Sequence, residues 1–226
     1  RFRVPKSFVE SARRVACHRD PKRWALLSPL LWRLIHGEPH LLDIVVDPDV
    51  NDFVCMDKAV RHDVHKMRAF VRFRAIEHEG ATWHVAWFEP EHHIVELNAP
   101  FFRDRFANMY WSILTPKRSV HWDKQNLAFT AGVPKSEAPG VDATEELWRT
   151  YYGSIFNPAR VKTKSMQKEM PKRYWKNLPE AEIIPVLLEE APARVEKMLQ
   201  ESDARVVRES EYSIGQPPLT DELEKL

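Results

Sequence analysis

The sequence predicts an α+β fold, an antiparallel β-sheet of about four to five strands flanked by N-terminal and C-terminal helices. Three observations predict it. Apolar residues recur at one-face helical spacing over the first part of the chain. The middle then breaks into short alternating apolar runs separated by turn residues. Helical spacing returns for the remainder.

Phe8, Val9, Ala12 and Val15 mark one helix face from Pro5 onward, and Asp20-Pro21 opens a second helix carrying Trp24, Leu27, Leu30, Leu31 and Leu34. Asp accepts from free N–H groups at a helix start and Pro suits the first turn. Gly37-Glu38-Pro39 closes that helix, and Asp47-Pro48 opens a third that runs to Met67. Phe70, Val71, Phe73 and Ile76, then Trp83, Val85, Trp87 and Phe88, flank His78-Glu79-Gly80 as a β-hairpin. A short helix spans Ile94 to Phe106, interrupted near Pro100. Three further strands follow, Tyr110 to Thr115, Ser119 to Asp123 and Leu127 to Thr130. Pro134 to Gly140 is a loop, and the rest is helical at 142–155, 163–170 and 180–200.

Residues 1–201 are read as a single domain and 202–226 as a charged linker or tail, ending in Gln216-Pro217-Pro218. The chain starts without Met, which reads as a fragment of a longer protein.

Composition narrows the class. With 226 residues, 43% of them hydrophobic, and eight Trp, this is a folded chain with a real core. Cys17 and Cys55 are its only cysteines, so neither a disulfide framework nor a four-thiolate metal site can form. Reduced thiols fit the cytoplasm, and no apolar run is long enough to span a bilayer. The net charge of +1 conceals blocks of one sign. Residues 1–40 hold nine Arg and Lys against three acids, 61–74 hold five against one, and 160–176 hold seven against one. Residues 177–226 reverse this, with twelve acids against five bases. Basic blocks suit phosphate, although any one of them also makes an ordinary solvated helix face.

The densest polar run is Arg61 to Arg68, continuing into Arg72 and Arg74. On a helix His62 and His65 share a face, and Arg61, His65 and Arg68 form a second stripe with Lys66 nearby. In an extended chain Arg68, Phe70, Arg72 and Arg74 would share one side, which is hard to explain as packing. A second basic and aromatic segment runs from Trp148 through Tyr152 and Phe156 to Arg160, then through Lys172, Arg173, Tyr174 and Lys176. Rings and guanidinium planes stack on exposed bases while cations hold the backbone. The four-residue spacing of Trp148, Tyr152 and Phe156 equally suits a buried helix stripe.

Acid–base candidates are His62, His65, His92 and His93, but neither histidine pair, even with Glu89 and Glu91, gives a recognisable metal-ligand spacing, so no metal or cofactor is implied. Cys17-His18 makes a poor nucleophile–base pair because neighbours on a helix diverge. No GxSxG, phosphate-cradling Gly-rich loop or HExxH is present.

Several longer strings occur in order: Cys17-His18-Arg19-Asp20-Pro21, Trp32 to Pro39, Val64 to Phe73, Trp87-Phe88-Glu89-Pro90-Glu91-His92-His93, Trp111 to Pro116, Trp148 to Arg160, and Pro171 to Pro179. Over residues 5–200 the chain resembles the bacterial family described as DNA-metabolism or DNA-repair proteins. The resemblance implies a setting beside a radical S-adenosylmethionine DNA-repair protein, or fusion ahead of a uracil-DNA glycosylase superfamily domain of the uracil-DNA-binding type. It supplies no catalytic residues. Arg33-Leu34-Ile35-His36 superficially resembles the loop of those glycosylases that bears an attacking His, yet here it closes a Leu- and Trp-rich helix.

The first expectation is an accessory domain that binds single-stranded or damaged DNA and works with a radical SAM or glycosylase-like partner. An enzyme acting directly on a modified nucleotide is the alternative. A scaffold whose acidic 177–226 segment contacts a basic partner is a third.

Overall fold

The computed structural model describes residues 4–78, 80–137, 156, 158–160 and 163–214. The chain divides into two compact units, Arg1–Glu146 and Leu147–Leu226.

The first unit opens with α1 (Lys6–Val15), α2 (Lys22–Ile35) and α3 (Pro48–Phe70). They bury a cluster that includes Phe8, Val15, Leu30, Leu34 and Phe53, with the Phe8 and Phe53 rings stacked at 5.4 Å. On α2 the buried face is Leu26, Leu30 and Leu34, at four-residue spacing. Trp24, read from sequence as part of that face, is instead 54% exposed with the Arg23 guanidinium over its ring.

The α2 to α3 junction is set by charge and turn chemistry. Gly37, at φ +116°, takes a backbone conformation that favours glycine and ends α2. The Asp47 carboxylate accepts from the Asp49 and Val50 N–H groups, with Pro48 opening α3 as the sequence predicts. Arg33 reaches across to Glu38 at 2.8 Å and Asp47 at 2.7 Å, tying the end of one helix to the start of the next. That guanidinium, first among several causes, holds the Asp47 carboxyl below its usual range. His36 donates through Nδ1 to Trp32 O at 2.8 Å and stacks on the Trp32 ring, so it serves its own helix end.

The sheet has five strands in the order β1 (Arg74–His78), β2 (Ala81–Trp87), β3 (Tyr110–Leu114), β4 (Arg118–Trp122) and β5 (Leu127–Ala131). Gly80, at φ +75°, occupies the tight turn between β1 and β2. Three pairings are antiparallel and β2 pairs with β3 in parallel, so the sheet is mixed where the sequence suggested an antiparallel one. The cause is α4 (Val95–Arg105), which lies between β2 and β3 in the chain. A crossover of that kind returns the chain to the end from which β2 began, as a parallel pairing requires. One sheet face carries Trp111, Ile113 and Val120, all fully buried, and Trp111 lies within 6.2 Å of both Phe73 and Phe102.

The second unit contains α5 (Thr163–Glu169), the single turn α6 (Lys172–Trp175), a short 3-10 turn at Pro179–Glu182, and α7 (Ile184–Ile214). Buried positions include Tyr174, Leu178, Ile184, Leu187 and Ala191. The helix α7 continues beyond Ser202 into the segment whose composition reads as linker. The expected helix at 142–155, with Trp148 and Tyr152, and the Gln216-Pro217-Pro218 tail lie outside the described residues. No described helix is long and apolar enough to cross a membrane.

Candidate functional site

Helical spacing brings Arg61, Val64, His65 and Arg68 onto one face of α3, where they line a groove of about 440 Å³ together with Arg13 and Arg14 of α1. The sequence reading found the α3 half and missed the α1 half. The signal was present as consecutive arginines in the last turn of α1, but only the packing of α1 on α3 shows that they face this stripe.

Three of the four guanidinium groups are held in place. Asp57, buried one turn before Arg61, accepts from Arg14 Nε at 2.5 Å and pairs with Arg61 Nε at 3.0 Å. Arg68 Nε donates to Asn98 Oδ1 at 2.6 Å, and its guanidinium lies 4.3 Å from the centre of the Phe101 ring. Asn98 is fully buried and donates through Nδ2 to Val64 O, which fixes its oxygen toward Arg68. Among the described residues Arg13 pairs with no carboxylate. Four guanidinium groups and His65, set against Glu10 in the lining and the Asp57 carboxylate shared by Arg14 and Arg61, leave the groove with a surplus of positive charge suited to phosphate.

The other predicted residues fall elsewhere. Lys66 is 2% exposed, with its ammonium 5.7 Å from the Phe70 ring, so it presents no surface cation. His62 is exposed and does not line the groove. The helix α3 continues through Phe70, which corrects the same-side strand reading of Arg68, Phe70, Arg72 and Arg74. Arg72 instead folds back, donating to Ala69 O at 2.7 Å at the end of α3, and Arg74 opens β1. In the second unit Lys172, Arg173 and Lys176 are exposed. Tyr174 is buried there, accepting at its hydroxyl from Arg173 at 2.7 Å, so its ring is no open platform. The Arg160 side chain lies outside the described residues.

A second concavity, of about 200 Å³, gathers His92, His93, Glu96, Thr115, Lys117 and Arg118 among its walls. Segments distant in sequence build it. The His92 backbone N–H donates to Asp63 Oδ2 at 2.8 Å, and the His93 N–H to Cys17 O at 2.8 Å. His92 is buried, accepts at Nδ1 from the Arg19 N–H at 3.1 Å, and lies against the His18 ring at 4.5 Å. That acceptance places the proton of a neutral His92 on Nε2. His93 is exposed at the rim, and burial first, then Lys117 and Arg23, pushes its pKa below the usual histidine range. Burial, reinforced by Glu96, pushes the Cys17 thiol up, which keeps it protonated and unreactive. Glu96 pairs with Arg118 at 2.5 Å across the mouth. The pocket therefore sets the His93 imidazole, held neutral by its lowered pKa, near Lys117 in a lining that also holds His92, Glu89 and Glu96. Among the described residues no three His, Cys, Asp or Glu side chains are placed to hold a metal ion.

No curated protein and no solved structure matches the chain. A family model does match, spanning residues 21–180, and it covers both the α3 stripe and the pocket motifs. The chain thus belongs to the family defined by the domain of unknown function DUF4130.

Proposed function

We propose that this chain is a nucleic-acid-engaging accessory domain that holds a DNA backbone in the arginine groove while a partner does chemistry on the DNA. The carrying observation is the convergence of Arg13, Arg14, Arg61 and Arg68 on one groove, three of them pre-oriented by buried or stacked partners. Pre-oriented guanidinium forks lose less side-chain freedom when they meet phosphate. The resemblance to DNA-repair proteins supports the same reading and names the partner class, a radical SAM or uracil-DNA glycosylase-like protein, in a cytoplasmic setting.

Fluorescence anisotropy with labelled duplex DNA across a salt series tests this. Affinity should fall steeply as salt rises, and an Arg13→Ala/Arg68→Ala variant should bind more weakly with a shallower salt slope. Absence of binding at low salt removes the reading and leaves a protein-docking scaffold.

The pocket at His93 favours a second reading, an enzyme acting on a damaged or modified nucleotide. A neutral imidazole is competent as a general base, and Lys117 beside it suits a developing negative charge. Turnover of a lesion-bearing oligonucleotide, lost in a folded His93→Ala variant, distinguishes this from accessory binding.

A further inference from the structure

We infer that the sheet face opposite Trp111, Ile113 and Val120 holds a slot for an unpaired nucleobase, built around the half-buried Trp83. The inference rests on the nucleic-acid reading above but uses a different surface. Strand register sets Ile76, Trp83 and Tyr110 side by side in one row across β1, β2 and β3. Two positions along, Val85 and Ser112 are paired neighbours on the same face. Ile76, His78, Trp83, Val85 and Ser112 enclose a shallow cleft of about 290 Å³.

Its walls match the chemistry of a base. Trp83 is stacked on Tyr110 at 5.1 Å with 26° between the rings, and His78 meets Trp83 edge-on at 6.5 Å. The Trp83 and Tyr110 rings are half-buried on the face opposite Trp111, Ile113 and Val120, with Val85 and Ser112 buried in the cleft lining. Ile76, exposed beside Trp83, and Val85 give the cleft an apolar lining against which a flat ring can lie.

The floor supplies a directed hydrogen-bonding group. His121 bridges Thr130 Oγ1 through Nε2 and Ser112 Oγ through Nδ1, each at 2.8 Å, so a neutral ring donates to one hydroxyl and accepts from the other. Ser112 Oγ keeps an accepting lone pair in either tautomer, matching the amino or imide N–H on the pairing edge of a base. Such an edge is open only in an unpaired base.

A cation completes the site. Lys124 is the only non-glycine among the described residues with positive φ, at 72°, and its ammonium lies 4.0 Å from the centre of the Tyr110 ring. The Asp123 carboxylate accepts from the Gln125 and Asn126 N–H groups and holds the turn in that form. A positive-φ lysine against the Tyr110 ring, one ring beyond Trp83, is charge-complementary to the backbone phosphate of a strand whose base enters the cleft.

The test uses the full chain and two fluorescein-labelled probes, an oligothymidylate and a duplex. Trp83→Ala should weaken the single strand roughly 5- to 150-fold, the range that one aromatic stacking contact supplies, and leave the duplex unaffected. Trp83→Phe should restore most of the loss, which separates stacking from a folding defect, and Lys124→Ala should reduce the single-strand salt slope. Unchanged single-strand affinity in a folded Trp83→Ala variant overturns the inference and returns the cleft to a protein partner's apolar side chain. Equal weakening of both probes also overturns it. Single-strand binding that survives without duplex binding removes the groove reading alone, whereas absence of both removes both.

Discussion

The backbone N–H of His92 donates to the Asp63 carboxylate at 2.8 Å, joining the middle of α3 to a wall of the pocket that lies 29 positions later in the chain. Asp63 is 1% exposed, so the contact is shielded from water and is made with an ionisable group inside the fold. It fixes the backbone from which both His92 and His93 project.

Asp63→Ala removes that acceptor and leaves a buried N–H without its partner. A buried polar group deprived of its bond costs about 1–3 kcal/mol, and the variant should lose stability in that range by urea denaturation. Asp63→Asn keeps a carbonyl acceptor and should lose less. An unchanged urea midpoint in Asp63→Ala would mean that the contact contributes nothing net.

The groove makes a separate prediction about arginine chemistry. Arg68→Lys preserves the charge but loses the Nε bond to Asn98 and the flat contact with Phe101. If placement of the guanidinium matters, Arg68→Lys should bind duplex DNA nearly as weakly as Arg68→Ala. Arg13→Ala, at a cation with no carboxylate partner among the described residues, should lower affinity evenly across sequences and reduce the salt slope by about one unit. Wild-type affinity in Arg68→Lys would show that charge alone is read there.

Much of the first unit is legible in the sequence because its signals are local. Asp47-Pro48 caps α3 as written, Gly80 turns the hairpin, and the five strands lie close to the alternating runs that announce them. The parallel pairing of β2 with β3 was not legible, since strand direction depends on where α4 lands and alternation is the same either way. The α3 stripe of Arg61, His65 and Arg68 followed from helical period, whereas Arg13 and Arg14 joined it only through helix packing. Lys66 shows the opposite failure. One residue off the stripe, 100° around the helix, it is buried although its side chain type is usually exposed. The Trp83 and Tyr110 pair escaped notice because a tryptophan in a strand reads as core until the register shows which face it occupies.

Gly132 constrains the turn that borders the pocket. Its N–H donates to Lys117 O at 3.0 Å, and a Cβ there would stand 2.2 Å from the Pro116 carbonyl oxygen. That neighbour is backbone and cannot swing aside, so Gly132→Ala should destabilise by about 1–3 kcal/mol, the usual cost of overpacking. Gly80→Ala is the useful contrast, because nothing lies within 4 Å of its Cβ position and only the positive φ is penalised, at roughly 1–2 kcal/mol. The two differ in where the strain goes. Gly132→Ala should also shift the amide resonances of Thr115 to Arg118 by NMR, and Gly80→Ala should leave them in place.

His121 gives the fold a pH dependence whose sign follows from its surroundings. Burial holds its pKa below the usual histidine range, so the folded chain favours the neutral ring hydrogen-bonded to Ser112. An unfolded histidine takes up its proton near pH ~6.5. Between that value and the lower folded pKa the unfolded chain binds more protons, so stability rises with pH in that window. The contribution is complete above pH ~6.5 and is lost as pH falls through the folded pKa. His18 and His93 shift in the same direction, so the wild-type curve sums three groups and the His121 share must be taken by difference. His121→Gln cannot titrate and keeps a hydrogen-bonding side chain. Between pH 7 and 5 it should lose less stability than the wild type, with a slope difference well below the ~1.4 kcal/mol per pH unit of one fully linked proton, because solvent screens a half-exposed ring. Parallel stability curves for the two proteins would show that His121 protonates equally in both states, and that the Ser112 hydroxyl is not held by a neutral ring.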